Sequence, residues 1–213
     1  MEVPGEFHIL FVCTGNVCRS PFAELLTRRL LDDLLLPPDA TRITVGSAGC
    51  HALRGHGVDP HTGAELARWD VPGPIIATHT ARQVETGMLV GADLVLTAER
   101  THRAHVARMY PKGLRRTFCL TEFHRLLSVV DPHGPVPGMH TMVEAAAAAR
   151  GVSPPVPTEA DGIPDPYGRS PQFHRGCARM ISALVTDILA GLLTCRRRVQ
   201  PGFAPPGATR RGS

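Results

Sequence analysis

Cys13-Thr14-Gly15-Asn16-Val17-Cys18-Arg19-Ser20-Pro21 places a thiol and a guanidinium six positions apart across a short loop. The loop follows an apolar run at 7–12 and precedes the helix-like stretch Phe22-Ala23-Glu24-Leu25-Leu26. A loop between a strand end and a helix N-terminus gathers backbone N–H groups and the positive end of a helix dipole around one point. The field that holds an oxyanion there also favours a thiolate, so Cys13 reads as a nucleophile beside a phosphate-shaped hole. Arg19 suits two oxygens of a phosphoryl group, because its planar fork matches them where a lysine could not. The amides of Thr14, Gly15, Asn16, Val17 and Cys18 would take the remaining lone pairs. Gly15 permits close backbone approach, and Asn16 tolerates the left-handed conformation such a loop needs. Ser20 can donate to the Cys13 sulfur or cap the following helix.

Elements that would hold this loop follow in alternation, the pattern of an α/β domain with a parallel sheet. Strands are expected at 7–12, 42–45 (closed by Gly46), 93–97 and 116–120. Helices are expected at 22–35 with Pro21 in the first turn, and at 60–69 and 99–109. A long amphipathic helix is expected at 172–193, with Phe173, Cys177, Met180, Ile181, Leu184, Val185, Ile188 and Leu192 at helical spacing. The fold expectation is therefore a three-layer αβα domain with a small sheet of about four parallel strands. The site would lie at the C-terminal ends of those strands. Residues 1–195 read as one domain, carrying a Pro/Ala-rich insertion at about 128–162 with a short helix at 141–150. That insertion is either a flap over the site or a tolerated surface addition. Residues 196–213 read as an Arg/Pro/Gly-rich tail.

The chain has 213 residues and a net charge of +4, with Lys112 its single lysine. The basic groups form no stripe, so nucleic acid is not an expected partner. No run long enough to span a bilayer stands out, and no secretory signal is visible. Cys50, Cys119, Cys177 and Cys195 are scattered singly, and no Cys-x-x-Cys or Cys/His array suggests zinc. A reduced, cytoplasmic protein without metal or cofactor is the economical reading.

The loop resembles the active-site loop of the low-molecular-weight protein tyrosine phosphatases of bacterial type, whose pattern is Cys-x-Gly-Asn-x-Cys-Arg-Ser. Asp165-Pro166-Tyr167 resembles that family's second signature, and Ser47-Ala48-Gly49 and His79-Thr80-Ala81-Arg82-Gln83 also look familial. The likeness covers about 7–127 and 161–193. It implies hydrolysis of phosphotyrosine through a phosphocysteine on Cys13, with Arg19 binding phosphate and Asp165 acting as general acid and then base. Tyr167 would wall the substrate ring, and Ser47 and His79 would tie down the Asn16 side chain. Cys18 would pack beneath the loop or pair reversibly with Cys13 under oxidation. Partners would be phosphotyrosyl proteins, a bacterial tyrosine kinase or its substrates among them.

Two departures accompany the resemblance. Thr97-Ala98-Glu99 stands where many members carry Met-Asp-Glu, and the separation between the loop and Asp165 is longer. Rival activities are arsenate reduction with an external thiol and protein-arginine phosphatase activity. Arginine-directed members carry Thr where this chain has Val17, and tyrosine-directed ones an aliphatic residue. A phosphotyrosine-binding module without catalysis would need neither the nucleophile nor the acid. His51, Leu53, Arg54 and His56 are expected near the rim; His102, His105 and His124 receive no role.

Overall fold

The apolar run near the N-terminus becomes the strand that the rest of the sheet is built on. In the computed structural model, which describes residues 6–34, 42–130, 138–151, 153–154, 156–157 and 161–197, β1 (Phe7–Cys13) lies between β2 (Ile43–Gly49) and β3 (Leu94–Thr97), and β4 (Thr117–Cys119) flanks β3. All three pairings are parallel and the order is β2-β1-β3-β4. Helices occupy the crossovers, as parallel pairing requires: α1 (Arg19–Leu34), α2 (Pro60–Ala67), α3 (Gly73–Thr78), α4 (Thr86–Gly91), α5 (Arg100–Met109), α6 (Leu120–Leu127), α7 (Met139–Ala149) and α8 (Pro171–Arg197).

Alternate residues of β1 feed two cores, which is why the strand is apolar except at His8 rather than alternating. Phe7, Ile9 and Phe11 join α1, α6, α7 and α8 in the larger cluster, with Phe22, Leu26, Phe123, Ile181, Val185 and Ile188 among its members. Leu10 and Val12 point to the other face, against Leu89 of α4 and Val106 of α5. These are three layers, α/β/α. In order 2-1-3-4 the chain leaves β1 on one side and returns on the other. The C-terminal end of β1 is therefore the switch point where such sheets bind ligands.

Several elements differ from expectation. Helix α1 begins at Arg19, three residues earlier than expected, so Pro21 sits within the first turn, where no intrahelical N–H bond is lost. Strand β2 does not stop at Gly46 but pairs with β1 as far as Gly49. Gly46 is used for room, since a Cβ there would lie 2.8 Å from Nη2 of Arg82. Helices α3, α4 and α6 were not foreseen: α3 and α4 have six residues each, and α6 follows β4 directly.

Helix α8 also corrects the reading of membrane propensity. Its segment Pro171–Leu193 is long and apolar enough to cross a bilayer by length and composition. It lies instead against α1, α2 and α6, with Ile181, Val185, Ile188, Leu189 and Leu192 buried in the core.

Helix α7 forms within the expected insertion, and it is not a flap. Met139, Met142, Val143 and Ala146 are buried in the main core. His140 meets the ring of Phe7 at the start of β1 and pairs with Asp93 before β3 at 3.2 Å. That is the end of the sheet opposite the switch point. Residues 131–137, between α6 and α7, and most of the tail at 196–213 lie outside the described residues.

Candidate active site

The loop from Cys13 to α1 is held by its carbonyl groups. Thr14 O accepts from His51 N (2.9 Å), Gly15 O from Leu53 N (2.9 Å), Val17 O from Asp59 N (2.9 Å) and Cys18 O from Phe22 N (3.0 Å). Asn16 O accepts from Nε2 of His79 at 2.9 Å. With every carbonyl tied to its surroundings, the amides of Gly15, Asn16, Val17 and Cys18 donate to nothing among the described residues. Successive carbonyls turned outward leave successive N–H groups turned inward, which is an anion nest.

Asn16 locks this shape. Its φ of 57° lies in the left-handed region, and its side chain is fully buried. Nδ2 donates to Ser20 Oγ (2.9 Å) and Ser47 Oγ (2.8 Å), while Oδ1 accepts from Arg82 N (2.9 Å). Ser47 donates onward to Glu24 Oε2 at 2.5 Å. His79 differs: it holds the Asn16 backbone, while Arg82 N holds the side-chain oxygen. The tight backbone approach falls at Gly49 rather than Gly15. A Cβ on Gly49 would sit 2.5 Å from Thr14 O, whereas one on Gly15 would touch Leu53 and Val17 at an ordinary 3.5 Å.

Cys13 ends β1 at the base of the nest, with Sγ 3.0 Å from Ser20 Oγ. Ser20 lies inside the first turn of α1, so the N-cap role falls away; its Oγ meets the Cys13 sulfur and also donates to Ala48 O at 3.3 Å. Arg19 is 2% exposed. Its Nη1 donates to Glu99 Oε1 and to Ile163 O (2.9 Å), and its Nη2 to Thr14 Oγ1 (3.1 Å) and Asp165 Oδ2 (2.7 Å). Asp165 therefore reaches the site despite the long intervening segment. Its Oδ1 accepts from Tyr167 N at 3.2 Å, and the Tyr167 ring is exposed beside it.

Glu99, next to the position of the missing aspartate, is retained and pairs with Arg19. Ala98 offers no carboxylate, and the next residue reaches Arg19 from the N-cap of α5. His102, to which no role was given, is a further contact: its Nε2 lies 2.8 Å from Thr14 Oγ1. Burial and the adjacent Arg19 charge lower its pKa to about 4, so it is neutral at pH 7. Thr14 Oγ1 thus links Arg19 and His102.

Behind the loop, burial pushes the Cys18 thiol up to about 12, against a hydrogen bond with Thr62. Cys50 is pushed up to about 12 by burial and by neighbouring Cys13. Cys13 and Cys18 are both free. Thr62 Oγ1 also meets His174 Nδ1 at 3.0 Å, and Asp59 caps α2 beside them. Val17 packs with Cys18, Ala81 and Leu53, which puts Leu53 at the rim. Asp161, four residues before Asp165, is 3% exposed and gripped by Arg100 (2.6 Å) and Arg125 (3.0 Å), anchoring the approach to the acid.

Of these supports, Arg82 lies in a stretch already singled out, and Glu24 is the one acidic residue in an apolar run. His102 and Asp161 carried no local signal.

The low molecular weight phosphotyrosine protein phosphatase family model matches residues 8–144. The low molecular weight protein-tyrosine-phosphatase of Streptomyces coelicolor is 30% identical over 186 residues, 87% of this chain and 93% of its own. The enzyme Wzb of Salmonella typhi is 34% identical over 125 residues, 59% of this chain and 76% of its own. Among solved structures, the low molecular weight protein tyrosine phosphatase of T. tengcongensis superposes with a TM-score of 0.62 at 24% identity, covering 86% of this chain and 98% of that one. The YwlE arginine phosphatase of Geobacillus stearothermophilus gives 0.62 at 24%, covering 93% and 99%. These two structures speak for the fold alone, whereas the family model and the Streptomyces relative speak for descent. The chain belongs to the low molecular weight phosphotyrosine protein phosphatase family.

Proposed function

We propose that this protein hydrolyses phosphotyrosine in proteins through a phosphocysteine on Cys13. The observation that carries the reading is an inward-facing amide nest with Cys13 at its base and Asp165 held on Arg19. In the first step the Cys13 sulfur attacks phosphorus, the bond to the tyrosyl oxygen breaks, and Asp165 gives that oxygen its proton. In the second, water attacks phosphorus, Asp165 takes the proton, and the phosphorus–sulfur bond breaks to release phosphate. The nest and Arg19 stabilise the equatorial oxygens in both. Ser20 steadies the sulfur as nucleophile and leaving group.

Tyrosine is favoured over arginine because Val17 brings a methyl surface, not a hydroxyl, to the loop. Exposed Tyr167 offers a face for an aromatic ring. Substrates of this kind arise from an ATP-dependent tyrosine kinase, and on that ground we propose phosphotyrosyl proteins in the cytoplasm as partners.

The test is hydrolysis of an aryl phosphate without added metal. Wild type should turn over and release phosphate. Cys13→Ser should lose turnover while still binding phosphate or vanadate. Substantial turnover by Cys13→Ser would remove Cys13 from the mechanism.

A further inference from the structure

A second cavity, of about 280 Å³, opens between the C-terminal end of α2 and the first turns of α8, away from the loop. Its lining is Glu65, Arg68, Trp69, Arg175, Ala178 and Arg179. Three guanidinium groups face one carboxylate. Glu65 is 7% exposed and is shared between Nε of Arg68 (3.4 Å) and Nε of Arg175 (3.3 Å). Arg179 has no ion pair among the described residues. The walls thus carry a net positive charge of two, and Trp69 adds an aromatic surface that is 39% exposed. Arginine and tryptophan around a concave surface are the composition of binding hot spots rather than of an idle solvated face.

Position gives the cavity a use. Asp165, Pro166 and Tyr167 stand just before α8, and Arg175 and Arg179 lie on one face of its first turns. At the rise of an α-helix, these two residues lie about 6 and 12 Å along the axis from Pro171. An extended peptide covers about 3.3 Å per residue, so those distances correspond to about two and four residues beyond the level of Pro171, and positions three to six from the phosphotyrosine are the ones to test.

We propose that this cavity is a docking subsite for acidic side chains of the protein substrate, selecting phosphotyrosines with Asp or Glu a few residues away. The proposal rests on the phosphatase reading. A substrate carboxylate would sit between Arg179 and Arg68 over Trp69, where Glu65 is too buried and too engaged to neutralise both.

The experiment compares kcat/KM on phosphotyrosyl peptides carrying Asp and Glu three to six positions away, on either side, with matched peptides carrying Ser and Gln. Enzymes are wild type and the double variant Arg68→Gln, Arg179→Gln; an aryl phosphate is the control. Wild type should prefer an acidic peptide about tenfold at low salt, and the preference should shrink at high salt. The double variant should bring it within about twofold, with aryl phosphate turnover unchanged. Equal kcat/KM for the two peptide sets in wild type overturns the subsite, as does a preference that survives the double variant. Failure of wild type on the aryl phosphate would overturn the phosphatase reading itself, so the two failures are distinguishable.

Discussion

Nη2 of Arg19 lies 2.7 Å from Oδ2 of Asp165, two side chains separated by 146 residues of sequence. The phosphate-binding cation and the proposed proton donor are thus partners before substrate arrives. In the proposed mechanism a phosphate in the nest would share the Arg19 donors with Asp165. Asp165→Asn keeps the shape and loses the proton. Its kcat should fall by about 10²–10⁴-fold, most for the poorest leaving group. A series of aryl phosphates with graded leaving-group acidity reads this directly, and a loss uniform across the series would assign the proton elsewhere.

Glu99 is the second carboxylate on Arg19, and its task in the mechanism is orientation. Glu99→Ala leaves Nη1 only the Ile163 carbonyl and loosens that edge of the guanidinium. We expect kcat to drop about ten- to hundredfold, KM to change far less, and the melting temperature to stay close to wild type. A rise in KM with kcat intact would show that Glu99 serves binding alone.

Gly49 tests how closely β2 must approach the loop. Its added Cβ would meet the Thr14 carbonyl, backbone against backbone, so neither side can yield cheaply. Gly49→Ala should cost about 1–3 kcal/mol of stability and disturb the nest. Urea unfolding and phosphate binding measured together should both weaken; an unchanged phosphate affinity would uncouple β2 from the nest.

His102 gives a pH signature. Its pKa is lowered from 6.5 to about 4 in the folded protein. Between those values the unfolded chain binds a proton that the folded one refuses. Its contribution to stability is therefore complete above pH 6.5, declines as pH falls, and is spent below about pH 4. The loss is on the order of 3 kcal/mol across the window. Urea midpoints at pH 7, 5.5 and 4.5 should fall more steeply for wild type than for His102→Gln. Parallel curves would mean that His102 titrates normally.

Much of this site was readable in sequence because its key parts are local. Cys13 to Ser20 is one continuous loop whose residue types state its chemistry, and strand–loop–helix context follows from apolar runs of strand and helix length. Asp165 was readable through its Pro-Tyr neighbours, although only the fold puts it on Arg19. Glu99, His102 and Gly49 were not, since their roles depend on register: β3 must end beside β1 for Glu99 and His102 to face Arg19 and Thr14. The short helices α3 and α4 were missed because six residues hold too few periods to show amphipathic spacing. The extent of β2 was misjudged because Gly46 reads as a breaker where it gives Arg82 room.

Helix α8 closes the core against α1, and this bears on how the chain is made. During synthesis α1 emerges early, with Phe22, Leu26 and Leu31 seeking cover, while the surface that α8 supplies follows well over a hundred residues later. At bacterial or slower translation speeds that interval is on the order of ten seconds or more. Asp165 emerges just ahead of α8, so catalytic competence and closure of the core arrive together. A nascent chain stalled before Asp165 would expose apolar surface and carry no proton donor, a substrate for chaperones rather than a slow phosphatase.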